Sequence, residues 1–237
     1  MGSRLQNVFA SEPLQEFEVV VVENGSVDST WKLLLEARDE DSRFKILQLS
    51  RNFDADGAAT AGLSFASGDA CVIMLADFQE PPEPIPSLLR KWEEGYEIGF
   101  GLVVRRGGTG LVRRFNSQIF YKLTLRLTGN AVTRNASDFR LVDKKVYKAV
   151  LGLDEKSRFG RGLFSWVGFN SVGVPFERAP RFGGQSKAHT KTVLASAVRG
   201  FSPTLLHFSE GSLREEKWPL SGIQKIGRIL LCDLLTG

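Results

Sequence analysis

Along the first half of the chain, short continuous apolar runs alternate with amphipathic stretches. Phe17-Glu18-Val19-Val20-Val21-Val22 is a β-branched run that ends at Glu23-Asn24-Gly25-Ser26. Trp31, Leu34 and Leu35 then form an apolar face at helical spacing, with Asp28 or Ser29 placed to cap the helix. Phe44 to Leu49 reads as the next strand, Gly57 to Ala66 as a helix of small residues, and Ala70 to Leu75 as a third strand. Pro84-Ile85-Pro86 opens a helix that runs through Trp92 and is closed by Gly95, and Tyr96 to Val104 is a further strand. Buried apolar strands separated by helices predict a mainly parallel sheet covered on both faces.

Beyond Val104 the pattern loosens. Arg105 to Gly110 reads as a basic loop, followed by an aromatic-rich helix through Phe115, Ile119, Phe120 and Leu123. Asp138 to Val142 is a short strand leading into a helix, Arg158 to Phe169 another helix, Val172 to Arg178 a strand, and Arg181 to Lys187 a loop. In the last segment Ile223, Ile226, Leu230 and Leu234 recur at helical spacing around Lys225 and Arg228. This predicts an amphipathic helix over 220–235 that lies on a membrane surface, on the body of the protein or on another subunit. The domain division expected is therefore 1–190 for an α/β body and 191–237 for a helical C-terminal segment.

Composition changes the picture mainly by exclusion. Two histidines, His189 and His207, leave no room for a histidine-rich zinc site or a histidine-centred triad. Cys71 and Cys232 form no disulfide framework. No run reaches the 18 or so apolar residues of a spanning helix, and the N-terminus has no signal-type apolar core. The formal net charge of +4 comes largely from arginines between Arg105 and Arg140 and suggests anionic partners. Those residues form no stripe interleaved with stacking aromatics, which argues against nucleic acid. The absence of a G-x-G-x-x-G after the first strand argues against a dinucleotide enzyme.

One stretch raises chemistry directly. The strand Val72-Ile73-Met74-Leu75 ends on Ala76-Asp77-Phe78-Gln79-Glu80 before a proline-punctuated helix start. Asp77 is either a strand end that favours the next helix or, with Gln79, a pair of hard oxygen donors for a metal ion.

Several segments together resemble glycosyltransferase family 2 of the GT-A fold. Glu23-Asn24-Gly25-Ser26-Val27-Asp28-Ser29-Thr30 resembles the family's Asp-Asp-Gly-Ser-Thr-Asp-Gly-Thr segment. Ser50-Arg51-Asn52-Phe53, Ala58 to Leu63 and Ala66 to Ala70 look like its next block, and Ala76 to Glu83 like its acidic metal motif. Asp138-Phe139-Arg140-Leu141, Arg158 to Leu163 and Arg181-Phe182-Gly183-Gly184-Gln185-Ser186-Lys187 are similar to the polyprenyl-phosphate branch, which includes dolichol-phosphate mannose synthase and undecaprenyl-phosphate sugar transferases. The match runs in consistent order over about residues 17 to 208. Three features depart from the pattern. The chain opens on what resembles the helix after the family's first strand, so an open edge or a gap is expected in the sheet. Leu75 stands where the family usually has an acid, and the spanning helices that often follow are absent.

The resemblance implies inverting transfer of a sugar from a nucleotide-diphosphate sugar to a polyprenyl phosphate, undecaprenyl or dolichyl. It implies Mg²⁺ or Mn²⁺ as cofactor and peripheral attachment at the cytoplasmic face of the membrane, with a second copy of the chain, as a homo-oligomer, among the partners expected. By the same resemblance Asp77 and Gln79 would hold the metal. Asp138 would act as base, or orient Arg140 or the substrate, against the plainer reading of a buried Asp-Arg pair. Arg113 or Arg114, Arg140, Arg181 and Lys187 would meet diphosphate or acceptor phosphate, since guanidinium groups bond phosphate in pairs. Glu23 and Asn24 would receive the base or ribose, or simply build an Asn-Gly turn. The alternative function is a catalytically weakened homologue that binds a partner glycosyltransferase or anionic lipid.

Overall fold

The computed structural model describes residues 2–12, 16–76, 79–105, 135–153, 163–165, 167–179 and 228–235, with backbone alone for 105 and 228–235. Its elements are α1 (Gly2–Ser11), β1 (Glu16–Glu23), α2 (Thr30–Glu40), β2 (Phe44–Gln48), α3 (Asp54–Ser64), β3 (Ala70–Leu75), α4 (Ile85–Glu93), β4 (Ile98–Arg105), β5 (Ala136–Asp143), α5 (Lys144–Leu151), β6 (Ser171–Glu177) and β7 (Arg228–Leu235). They build one seven-stranded sheet in the order β2-β1-β7-β3-β5-β4-β6. The pairs β1–β2, β1–β7, β3–β7 and β4–β6 are parallel, and β5 runs antiparallel to both β3 and β4.

The sheet is covered on both faces, which is why its strands read as continuous apolar runs. On one face Leu5, Val8 and Phe9 of α1 and Ile85, Leu88, Leu89 and Trp92 of α4 pack on Val19, Val21, Val72 and Met74. On the other, Ala58 and Leu63 of α3 and Val146, Tyr147 and Val150 of α5 pack on Val20, Val22, Cys71 and Ile73. Alternate residues of one strand thus serve opposite cores, as the period of two requires. Local signals agree with these ends. Asp28 Oδ1 accepts from Thr30 N at 2.9 Å, although Ser29 holds the cap position of α2. Asp143 caps α5 by accepting from Lys145 N at 3.1 Å, and its second oxygen takes Trp92 Nε1 at 2.8 Å. Gly95, at φ 101°, closes α4 in a conformation that favours glycine.

One expectation is overturned. Residues 228–235, expected within an amphipathic helix, form a strand between β1 and β3. Among the described residues α1 is the first element and no strand precedes β1, yet β1 and β3 flank no gap. β7 is in register with Glu16 to Glu23 on one side and with Ala70 to Leu75 on the other. Arg228-Ile229-Leu230-Leu231-Cys232-Asp233-Leu234-Leu235 is itself a nearly continuous apolar run, which periodicity alone does not tell apart from a helical segment. The helical part of that expectation before residue 228 lies outside the described residues. So do the basic loop, the aromatic-rich helix after it, and the loop from Arg181 to Lys187.

At the end of the sheet away from the loops described next, Glu18 joins β1 to the turn before β3. Its carboxylate accepts from Ser67 N at 2.8 Å, Ser67 Oγ at 2.7 Å and Gly68 N at 3.1 Å, and pairs with Lys45 at 2.6 Å. Burial alone would raise the Glu18 pKa, but the bonds from Lys45 and Ser67 outweigh it and hold the carboxyl below its usual range. A carboxyl lowered by folding contributes stability above its unfolded pKa of about 4.3, and that contribution is lost as pH falls through the folded value. Glu18→Gln is therefore expected to lower stability at neutral pH and to flatten the acid limb below about pH 4.3, read by urea denaturation across a pH series.

Candidate active site

The C-terminal ends of β1, β7 and β3 share one edge of the sheet, since Glu23 is in register with Leu235 and Leu75 with Leu234. β5 enters beside them, because Ile73 pairs with Arg140 in the antiparallel ladder. β6 ends at the same edge, where Ala179 N donates to Gln79 O at 3.2 Å. This edge gathers Glu23, Asn24, Gln79, Glu80, Asp138, Arg140 and Arg178. In open α/β sheets ligands bind outside the carboxyl ends of the strands. Asn24 and Gln79 sit on opposite sides of β7, and two strand spacings separate β1 from β3 by about 9–10 Å.

Asn24 is fully buried. Its Oδ1 accepts from Phe53 N at 2.9 Å, and its Nδ2 donates to Asp54 O at 3.1 Å and to Asn52 Oδ1 at 3.4 Å. The side chain expected to receive a base or ribose therefore fastens the loop after β2 to the end of β1. Glu23, also buried, accepts from Ser26 N and shapes the turn. Above this latch, Arg51 stacks over the half-exposed Phe53 ring at 4.1 Å. Gly25 makes the close approach possible: at φ 81°, a Cβ there would lie 2.7 Å from Asn52 N and 2.9 Å from the Arg51 carbonyl carbon. Both atoms are backbone, so Gly25→Ala is expected to cost at least about 1–2 kcal/mol, measured by chemical denaturation. Ala at exposed position 27 in place of Val is the matched control.

On the β3 side, Gln79 is half-buried and Glu80 is fully buried. Glu80 accepts from Ser137 Oγ and faces the Arg178 guanidinium at 3.7 Å. Asp138 follows, with its carboxylate 44% exposed and 3.7 Å from Arg140. Arg140 is buried; it donates to the Asp138 and Ser137 carbonyls at 3.3 and 3.4 Å and lies 4.9 Å from the Phe164 ring. The guanidinium thus braces the start of β5 and leaves the Asp138 carboxylate facing solvent. The Asp138–Arg140 pair expected from the sequence is present at 3.7 Å. Asp77, Arg113, Arg114, Arg181 and Lys187 lie outside the described residues. Among the described residues no three His, Cys, Asp or Glu side chains gather as metal ligands. Gln79 supplies an amide oxygen of the kind a hard divalent cation accepts, while half-buried Leu75, two residues before Asp77, supplies none.

Sequence reasoning missed Glu80, Ser137, Arg178 and Asn52. The first stands next to Gln79 in the acidic stretch, and the third stands three residues before Arg181, so position was a usable signal for both. Nothing in the sequence marks Glu80 as buried.

A mainly parallel α/β sheet with loops gathered at the carboxyl ends of its strands is a scaffold on which ligand sites are commonly built, and the comparisons name its family. Residues 3–151 match the model of Glycosyl transferase family 2. The chain belongs to that family, and its sheet is the Rossmann-like sheet of the GT-A fold. It is 42% identical over 171 residues to an uncharacterised glycosyltransferase of Synechocystis sp., covering 72% of this chain and 54% of that one. It is 36% identical to the uncharacterised glycosyltransferase YkcC of Bacillus subtilis, over 84% of this chain and 61% of that one. With the bactoprenol glucosyl transferase of Shigella phage SfV it shares 34% identity over 79% of this chain and 61% of that one. The chain thus spans between about half and three-fifths of the length of these relatives.

Proposed function

We propose that this chain transfers a sugar from a nucleotide-diphosphate sugar to a polyprenyl phosphate, with inversion, at the cytoplasmic face of a membrane. The observation that carries the reading is one sheet edge that joins a latched turn at β1 to the Gln79, Glu80 and Asp138 group beside β3, in a family 2 domain. A relative named for bactoprenol glucosyl transfer supports a lipid-linked acceptor and glucose as the first sugar to try. No helix among the described residues is long and apolar enough to cross a membrane, so contact with lipid would be peripheral in this part of the protein.

Each group then has a task. The loops at β1, with Asn24 fixing their shape, receive the nucleoside. Asp77 and Gln79 hold Mg²⁺ or Mn²⁺, which when bound offsets the negative charge that builds on the departing diphosphate. Arg113 or Arg114, Arg181 and Lys187 meet diphosphate or acceptor phosphate. A lipid phosphate is largely ionised at neutral pH, its second pKa being about 6, so it attacks without needing a strong base. Asp138, braced by Arg140, therefore orients the acceptor or substrate hydroxyls.

The test is calorimetric titration with UDP-glucose, UDP-N-acetylglucosamine and GDP-mannose, with and without Mn²⁺, followed by transfer to undecaprenyl phosphate in vesicles. Metal-dependent binding of one donor and formation of the lipid-linked sugar are expected. Folded protein that binds no donor would overturn the reading and favour the second one, a weakened homologue that binds a partner enzyme or anionic lipid. Leu75 in place of an acid is the observation that favours that alternative.

A further inference from the structure

We propose that Glu80 is a positioning residue for the diphosphate side of the site, holding Gln79 in place by tying three segments together. The inference rests on the donor-site reading above. Glu80 has no solvent exposure. It accepts from Ser137 Oγ, and Ser137 Oγ in turn accepts from Phe139 N at 2.9 Å. One hydroxyl therefore passes the position of Glu80 on to the first residues of β5, Ser137 and Phe139, on either side of Asp138. The same carboxylate faces Arg178 at 3.7 Å, and the next residue, Ala179, donates its N–H to Gln79 O at 3.2 Å. The end of β6 is thus fixed to the acidic segment at two consecutive residues.

Energetics favour a geometric purpose over simple filling. A buried carboxylate is costly to desolvate, and an apolar side chain of similar volume would often give equal or greater stability. What an apolar residue cannot do is bond Ser137 and attract Arg178 at once. The segments so joined carry Gln79, Asp138 and, three residues after Arg178, Arg181. Partners that orient metal-binding groups from behind typically change metal affinity 10–100-fold when removed.

The experiment uses the full chain with Glu80→Gln, which keeps an acceptor for Ser137 and removes the charge that faces Arg178. Calorimetry measures UDP-glucose with and without Mn²⁺, and uridine alone. The expected result is an Mn²⁺-dependent increment in UDP-glucose affinity lowered by about 10-fold or more, with uridine binding unchanged. Glu80→Asp is expected to recover part of the increment. A purely structural Glu80 would lower the melting temperature and leave the Mn²⁺ increment intact, and that result would overturn the proposal. Should Glu80→Gln not fold, Ser137→Ala cuts the same connection from the other side and must show the same loss. Wild-type protein that binds no donor would sink the donor-site reading instead. In that case exchange of the Ala179 amide decides the anchoring: faster exchange in Glu80→Gln supports it, and unchanged exchange refutes it.

Discussion

Leu231→Pro is expected to destabilise the protein by about 3 kcal/mol or more, because it takes a backbone donor from the middle of a central strand. Leu231 is in register with Val19 on one side and Val72 on the other. The pyrrolidine ring removes a ladder hydrogen bond, leaves a carbonyl without its partner and forces spacing that the flanking strands cannot follow. The consequence reaches beyond one bond. Apart from β7, the β2-β1 pair and the β3-β5-β4-β6 group share no ladder in the sheet order. The shared cores and the Glu18 bonds to Ser67 and Gly68 still hold the halves together, so partial structure is expected to survive. Urea denaturation followed separately by fluorescence and far-ultraviolet circular dichroism should show a lower midpoint and separated transitions. A silent substitution would mean that residues 228–235 do not hold that central place.

The same strand shows where sequence reasoning reached its limit. β1 to β3 were legible because each apolar run is bounded by turn residues and set between stretches of helical spacing, as at Glu23-Asn24-Gly25-Ser26 and Ser67-Gly68-Asp69, and β4 to β6 because each is a short run rich in apolar residues. β7 was not, since Leu230 and Leu234 in a short apolar run fit helical spacing as well as they fit a strand. Nothing local distinguishes the two; the vacancy between β1 and β3 does, and that is a tertiary fact. The site divides in the same way. Residue type and motif order pointed to Glu23, Asn24, Gln79, Asp138 and Arg140, and the fold does bring these to one edge. Their division of labour was hidden, because it depends on partners distant in sequence. Asn24 is committed to a loop 28 and 30 residues away, at Asn52 and Asp54. Glu80, passed over beside Gln79, is bonded to Ser137, 57 residues on.

Under the proposed function the largest effect on activity is expected from Asp77→Asn, with transfer of glucose from UDP-glucose to undecaprenyl phosphate falling by about 10²–10³-fold. The argument is one of donor chemistry. A divalent cation on a nucleotide diphosphate takes most of its oxygens from phosphate and water, and only one or two from protein. With Leu75 two residues earlier, Asp77 is the single carboxylate of its stretch up to Glu80, whose own carboxylate is bonded to Ser137. Asparagine keeps the size and one oxygen but removes the charge that attracts the cation. The loss should therefore be partly recovered at high Mn²⁺, and the Mn²⁺ concentration for half-maximal rate should rise. Uridine affinity should stay as it was, because the nucleoside meets the loops at β1. A strand-ending or helix-favouring role for Asp77 predicts the opposite pattern, a lower melting temperature with an unchanged Mn²⁺ requirement per folded molecule. Measuring rate against Mn²⁺ for both proteins, beside their melting temperatures, separates the two.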